Sequence, residues 1–129
     1  MPEEKKDWEL TGLVMGALVE VHRELGPGLL ESAYEACVAE ELRHRNIAFR
    51  QQVPITLRYR SISVAGAFVA DLIIHERILV ELKAVDQLAA VHTCQTLTYL
   101  KLLDLRTALL VNFNVVELRR GTRRLTLET

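Results

Sequence analysis

Long hydrophobic runs are missing from this sequence. The longest, with glycine allowed, is Leu13 to Val19, far short of the roughly 18 residues a membrane-spanning helix requires. The opening Met1-Pro-Glu-Glu-Lys-Lys-Asp is charged and no signal-type apolar core comes after it, so a cytoplasmic protein is expected rather than an exported one. Cysteine is scarce: Cys37 and Cys94 are too few for a disulfide framework. Neither has a second cysteine or a histidine at metal-ligand spacing, so they read as free thiols in a reducing compartment, small and buried. Aromatic residues make up 5% of the chain, with no run that suggests a platform for stacking bases. The single tryptophan, Trp8, is expected to pack between helices. Net charge is close to absent at −1, which argues against a strongly basic nucleic-acid binder. Single-sign charge blocks are missing too, and with half the residues apolar this excludes disorder.

What is present suffices for one domain over residues 1–129, since two domains normally need about 200 residues or more. The small net charge conceals a split. Residues 1–45 hold ten acidic and five basic side chains, residues 46–129 seven acidic and eleven basic. The basic excess gathers at Arg50, Arg58 and Arg60 and in the tail at Arg119, Arg120, Arg123 and Arg124. Such a split can put a local positive surface on a neutral protein, although solvated strand faces would look the same.

Periodicity supplies the elements. Leu10, Leu13, Val14, Ala17, Leu18, Val21 and Leu25 recur at helical spacing, predicting a helix from about Asp7 to Glu24. Gly26-Pro27-Gly28 stops it. A second helix is predicted over about Leu29 to His44, with Leu30, Tyr34, Cys37, Val38 and Leu42 on its apolar side. Val53 to Arg60 alternates at period two, and Pro54 suits an edge strand or a strand start. Ala67 to His75 and Arg77 to Val85 read as a hairpin about Glu76. A third helix fits Gln87 to Leu103, Thr107 to Phe113 reads as a strand, and Val115 to Leu127 alternates weakly. The order α-α-β-β-β-α-β-(β) predicts an α/β or α+β fold, a central mixed sheet flanked by helices.

Asp71, Glu81 and Lys83 break the apolar strands that hold them, and such violations concentrate at functional sites. Period two puts Glu81 and Lys83 on one face. In a hairpin about Glu76, residues whose numbers sum to about 152 face each other, which sets Asp71 opposite Glu81. Two readings stand at this point. Two carboxylates with the Leu82 backbone carbonyl offer the hard oxygens that Mg²⁺ or Mn²⁺ prefers, and Lys83 can orient a water or stabilise a phosphorane. The other reading is a partly buried salt bridge among Asp71, Glu81 and Lys83.

Asp71 followed ten residues on by Glu81-Leu82-Lys83 resembles the D…ExK signature of the PD-(D/E)xK nuclease superfamily. Gln95 and Tyr99 resemble the QxxxY element of its exonuclease-like branch. Gly28-Leu-Leu-Glu31-Ser-Ala-Tyr34 matches the motif that names the bacterial GxxExxY family, and the likeness extends from about Leu10 to Arg124. Asn114 stands where that family usually has glycine. The resemblance implies a restriction-endonuclease-like core and a Mg²⁺- or Mn²⁺-dependent nuclease that hydrolyses phosphodiesters, with DNA as the expected substrate. It implies that Asp71, Glu81 and Glu31 hold metal, with Lys83 catalytic and Gln95 and Tyr99 supporting the site or the substrate. Arg58, Arg60 and the Arg119–Arg124 cluster are candidates for backbone contacts. His22 and His92 are expected in structural roles or in support of the site residues, and Tyr34 in the core. With so small a chain, a homodimer or partner protein would help to hold substrate. The alternative is a nucleic-acid-binding or interaction protein that keeps the fold without useful turnover.

Overall fold

The computed structural model describes residues 2–127. The helical stripe lies on a longer helix than its apolar residues mark, α1 (Pro2–Leu25), because the charged residues ahead of it continue the same turns. Leu10, Val14, Ala17, Leu18 and Val21 are buried, whereas Leu13, at the margin of the stripe, is 60% exposed. Gly26 and Gly28 end the helix with φ of 68° and 101°, values that glycine adopts without a Cβ clash. Helix α2 (Glu31–His44) buries Tyr34, Val38, Ala39 and Leu42.

The strands are β1 (Phe49–Tyr59), β2 (Ile62–Ile74) and β3 (Ile78–Lys83). Helix α3 (Ala90–Leu103) and β4 (Thr107–Asn112) come next, then a short 3-10 turn and β5 (Thr122–Thr126). This is the expected order with the last strand formed. The sheet runs β1-β2-β3-β4-β5. Among the described residues only β3 and β4 pair in parallel, and α3 is the crossover that a parallel pair needs. Pro54 lies in the edge strand β1, where its missing N–H does least harm.

Helices α1 and α2 cover one face of the sheet, packing on Leu72, Ile74, Ile78, Val80, Leu82, Leu109 and Val111. Tyr99 and Leu100 of α3 cover the other, against Val53, Ile55, Ala70, Ile73, Leu79 and Ala108. With both faces covered, β3 and β4 are buried almost throughout, which is why they read as continuous apolar runs. Among the described residues, no helix is long and apolar enough to cross a membrane.

The β1–β2 hairpin turns over in mid-length. Phe49 in β1 and Leu72 and Ile74 in β2 face α1 and α2, yet Val53, Ile55 and Ala70 of the same parity face α3. Between them stand Gln52, at a left-handed φ of 51°, and Asp71 opposite it. A left-handed residue in a strand reverses which side its neighbours face, so the period-two count fails there.

Two burial expectations are corrected. Cys37 and Cys94 are free but exposed, Cys37 because Val38 beside it occupies the buried line of α2. Trp8 is 65% exposed, its ring carrying the Arg124 guanidinium at 5.0 Å rather than a neighbouring helix.

Candidate active site

The β2–β3 ladder pairs Ile74 with Ile78, Ile73 with Leu79 and Leu72 with Val80, all summing to 152, and it stops there. The next opposed pair is Asp71 and Glu81, where the overturned β2 leaves β3. Strands that part leave backbone N–H groups without ladder partners, and buried donors must be met some other way. The two carboxylates meet them. Glu81 Oε2 accepts the Asp71 N–H at 2.7 Å, and Asp71 Oδ2 accepts the Leu82 N–H at 2.8 Å. The hairpin register read from the sequence is therefore the observed one, and the acids face each other across it.

Glu81 is only 4% exposed and Asp71 half-buried. Burial, then the Asp71 charge, pushes the Glu81 carboxyl up to about 8. Burial also raises Asp71, against the Leu82 N–H that favours its ionised form, and Glu35 and Glu31 add to the rise. The Lys83 ammonium pulls both carboxyls down, so all three groups lie within electrostatic reach of one another. Tyr99, buried on α3, has its phenol raised by burial and by the Glu81 and Asp71 charges. Two acids held in low dielectric beside a single ammonium make a place that favours added positive charge.

The sequence matches the family described as the PD-(D/E)XK nuclease superfamily over residues 8–125. The chain belongs to that superfamily. No curated protein and no solved structure matches it. Membership of the PD-(D/E)XK superfamily suggests nuclease activity, implies a nucleic-acid substrate and typically goes with divalent metal ions. The mixed five-stranded sheet between helices is consistent with a restriction-endonuclease-like fold.

Several candidate residues converge on the PD-(D/E)XK acids and others do not. Glu31 opens α2, exposed, and acts on Asp71 through its charge. Gln95 is half-buried one turn before Tyr99, on the same side of α3. Arg58 and Arg60 sit at the far end of the hairpin, with the Arg60 guanidinium over the Tyr59 ring. Arg58 is six positions along the chain from Gln52, about 20 Å at roughly 3.3 Å per residue. Leu82 turns its N–H toward Asp71, and in an extended strand its carbonyl faces the same side. His22 Nε2 bonds the Val115 carbonyl at 2.8 Å and His92 Nδ1 accepts the Ala89 N–H at 2.9 Å, both structural contacts.

Two contributors, Gln52 and Asn112, were not singled out from the sequence as parts of the site, and a third, Arg123, belongs to the basic tail cluster expected to contact a nucleic-acid backbone. Gln52 lies in the row of Asp71 and Glu81, its side-chain amide donating to Glu35 Oε1 at 2.6 Å and toward Asp71 Oδ1 at 3.4 Å. Its position just ahead of the alternating stretch hid it. Asn112, buried at the end of β4, exchanges hydrogen bonds with the Val85 backbone at 3.0 and 2.9 Å and so fixes the chain just beyond Lys83. A polar residue ending an otherwise apolar strand was the available signal. Arg123, in register with Leu110 and through it with Glu81, bonds Thr93 Oγ1 at 2.8 Å. A groove of about 500 Å³ beside Trp8, between α1 and the β4–β5 side of the sheet, contains none of these residues.

Among the described residues, no three His, Cys, Asp or Glu side chains gather as a complete metal cage. The donor set nevertheless fits a small hard cation. Mg²⁺ is commonly held by one or two carboxylates, with waters and substrate phosphates completing its shell. Asp71, half-buried, and Glu81, buried, are such a pair, short of compensating charge.

Proposed function

We propose that this chain is a Mg²⁺- or Mn²⁺-dependent nuclease that hydrolyses phosphodiester bonds in DNA, of the GxxExxY kind within its superfamily. The observation that carries the reading is the convergence of the Asp71 and Glu81 carboxylates with Lys83 where β2 leaves β3. In this reading Asp71 and Glu81 hold the cation, with the Leu82 carbonyl as a further oxygen and Glu31 engaged through water. The bound cation would supply an activated water and neutralise phosphate charge. Lys83 orients the attacking water and stabilises negative charge as it develops on the phosphoryl oxygens. Gln95 and Tyr99 support that face from α3. Arg58 and Arg60, at the tip of the hairpin, contact the nucleic-acid backbone away from the reacting phosphate and carry no sequence information. The working place is the cytoplasm, with a second copy or partner protein helping to hold substrate.

One observation favours a second reading, a binding protein without turnover. An oxygen of each carboxylate is already engaged by a backbone N–H, so the acids are satisfied as they stand.

The deciding experiment incubates the pure protein with single-stranded DNA, duplex DNA and RNA in Mg²⁺, Mn²⁺ or EDTA. Metal-dependent cleavage of DNA that falls at least about 100-fold in Asp71→Asn and Lys83→Ala is expected, since removing one charge-stabilising donor costs roughly that much. Cleavage that persists in both variants would sink the site assignment. Binding that weakens with salt, without cleavage under any condition, would establish the second reading.

A further inference from the structure

Gln52 occupies an expensive position. A non-glycine residue at φ 51° inside a strand is strained, and such strain persists only where surroundings impose it. The surroundings here are two carboxylates. The Gln52 side-chain amide nitrogen donates to Glu35 Oε1 at 2.6 Å and points its other N–H toward Asp71 Oδ1 at 3.4 Å. Glu35 is held in turn by Gln51, whose amide donates to its other oxygen, Oε2, at 2.7 Å. Asp71 Oδ2 is taken by the Leu82 N–H, which leaves Oδ1 as the oxygen facing Gln52. Glu35 sits one helical turn beyond Glu31 on α2 and reaches Asp71 through this amide rather than directly.

We propose that Gln52, anchored by Glu35, is the positioning residue that sets the orientation of the Asp71 carboxylate toward the cation, with Oδ1 presented and Oδ2 kept on the backbone. This rests on the metal-site reading of Asp71 and Glu81 given above. The amide suits the task because it is neutral and offers two N–H donors, which lets it lie between two negative groups that would otherwise repel. It also ties α2 to the site across β1, which explains why a residue outside the apolar alternation is held in a strained backbone.

Backbone and side-chain roles separate in one substitution. Gln52→Gly removes the amide but suits the left-handed φ, so metal-free thermal stability should be equal to or above that of the parent chain. Mn²⁺ affinity by titration calorimetry, without nucleic acid, should fall about 10-fold, the loss typical of groups that orient metal ligands. Turnover should fall with it while KM for DNA stays within about twofold, because substrate contacts are untouched. Glu35→Ala should lower Mn²⁺ affinity in the same direction, and the double variant should bind no more weakly than Gln52→Gly alone, since the two act as one unit. A Gln52→Gly protein that binds Mn²⁺ as the parent does would overturn the positioning role and leave the metal site standing. A parent chain that takes up no Mn²⁺ would overturn both.

Discussion

Glu81 carries a carboxyl in a nearly dry place, and its proton is linked to folding. Its folded-state value of about 8 stands well above the ordinary 4.5, so between those values the folded chain holds a proton that the unfolded chain releases. The stability this contributes is complete below about pH 4.5 and is lost as pH rises through about 8. Asp71, raised by the same burial, acts in the same direction. The expected outcome, followed by thermal unfolding in EDTA, is a melting temperature that falls from pH 5 to pH 8.5. Glu81→Gln, which keeps the shape without the charge, should flatten that fall and exceed the parent chain at pH 8.5. A parent profile that rises with pH would show that Glu81 is ionised at little cost. The residue types at the site were legible in the sequence, because acids in an apolar strand are conspicuous. Their hydrogen bonds were not, because the freed N–H groups of Asp71 and Leu82 exist only where the strands part.

At the scale of elements, the link between α1 and α2 shows what the spacing from Gly28 to Tyr34 accomplishes. Tyr34 is fully buried, stacked on Phe113 at 4.5 Å, and its hydroxyl donates to the Gly26 carbonyl while accepting the Leu29 N–H. The glycines let the chain reverse, and the tyrosine one turn into α2 clips the loop so that Glu31 begins the helix at a set angle. Tyr34→Phe keeps the stacking and loses both hydrogen bonds. It should lower unfolding free energy by about 1–2 kcal/mol in urea titration, with the slope unchanged. A loss under about 0.3 kcal/mol would mean the loop holds itself. Strand limits were less legible than helix limits. β1 begins at Phe49, ahead of the expected Val53, because Phe49-Arg-Gln-Gln shows no apolar alternation and the turnover at Gln52 shifts the phase of the strand beyond it.

Across the whole molecule, one buried acid joins layers that are far apart in sequence. Asp7 on α1 is 2% exposed, pairs with Arg77 Nε at 2.8 Å and accepts the Thr107 hydroxyl at 2.9 Å. It thereby ties the first helix to the chain entering β3 and to the start of β4. Nothing in the sequence set Asp7 apart from the other charges around it, since its partners lie 70 and 100 residues away. Asp7→Ala should cost about 2 kcal/mol of stability by chemical denaturation, the usual penalty for leaving buried donors short of an acceptor. A change below about 0.5 kcal/mol would show that the layers are held by the apolar core alone. Glu31 and Glu35 stand together on α2, while Arg58 and Arg60 end the hairpin and Arg123 and Arg124 lie on β5, at the opposite edge of the sheet.

By itself the sequence determined the element order, the two-faced burial of the central strands and the hairpin register. Those arise from periodicity and turn chemistry, which act over a few residues. It also marked Asp71 and Glu81 as exceptions to the strand pattern, because a carboxylate amid apolar neighbours is costly wherever the strand lies. The tertiary structure alone decided that the β1–β2 hairpin turns over at Gln52 and Asp71 and that β2 leaves β3 there. It also decided that Glu35 reaches Asp71 through Gln52, and that the β1–β2 pairing carries Arg58 to the far end of the hairpin. These depend on how three strands and two helices share one space, and no local pattern in the chain encodes that.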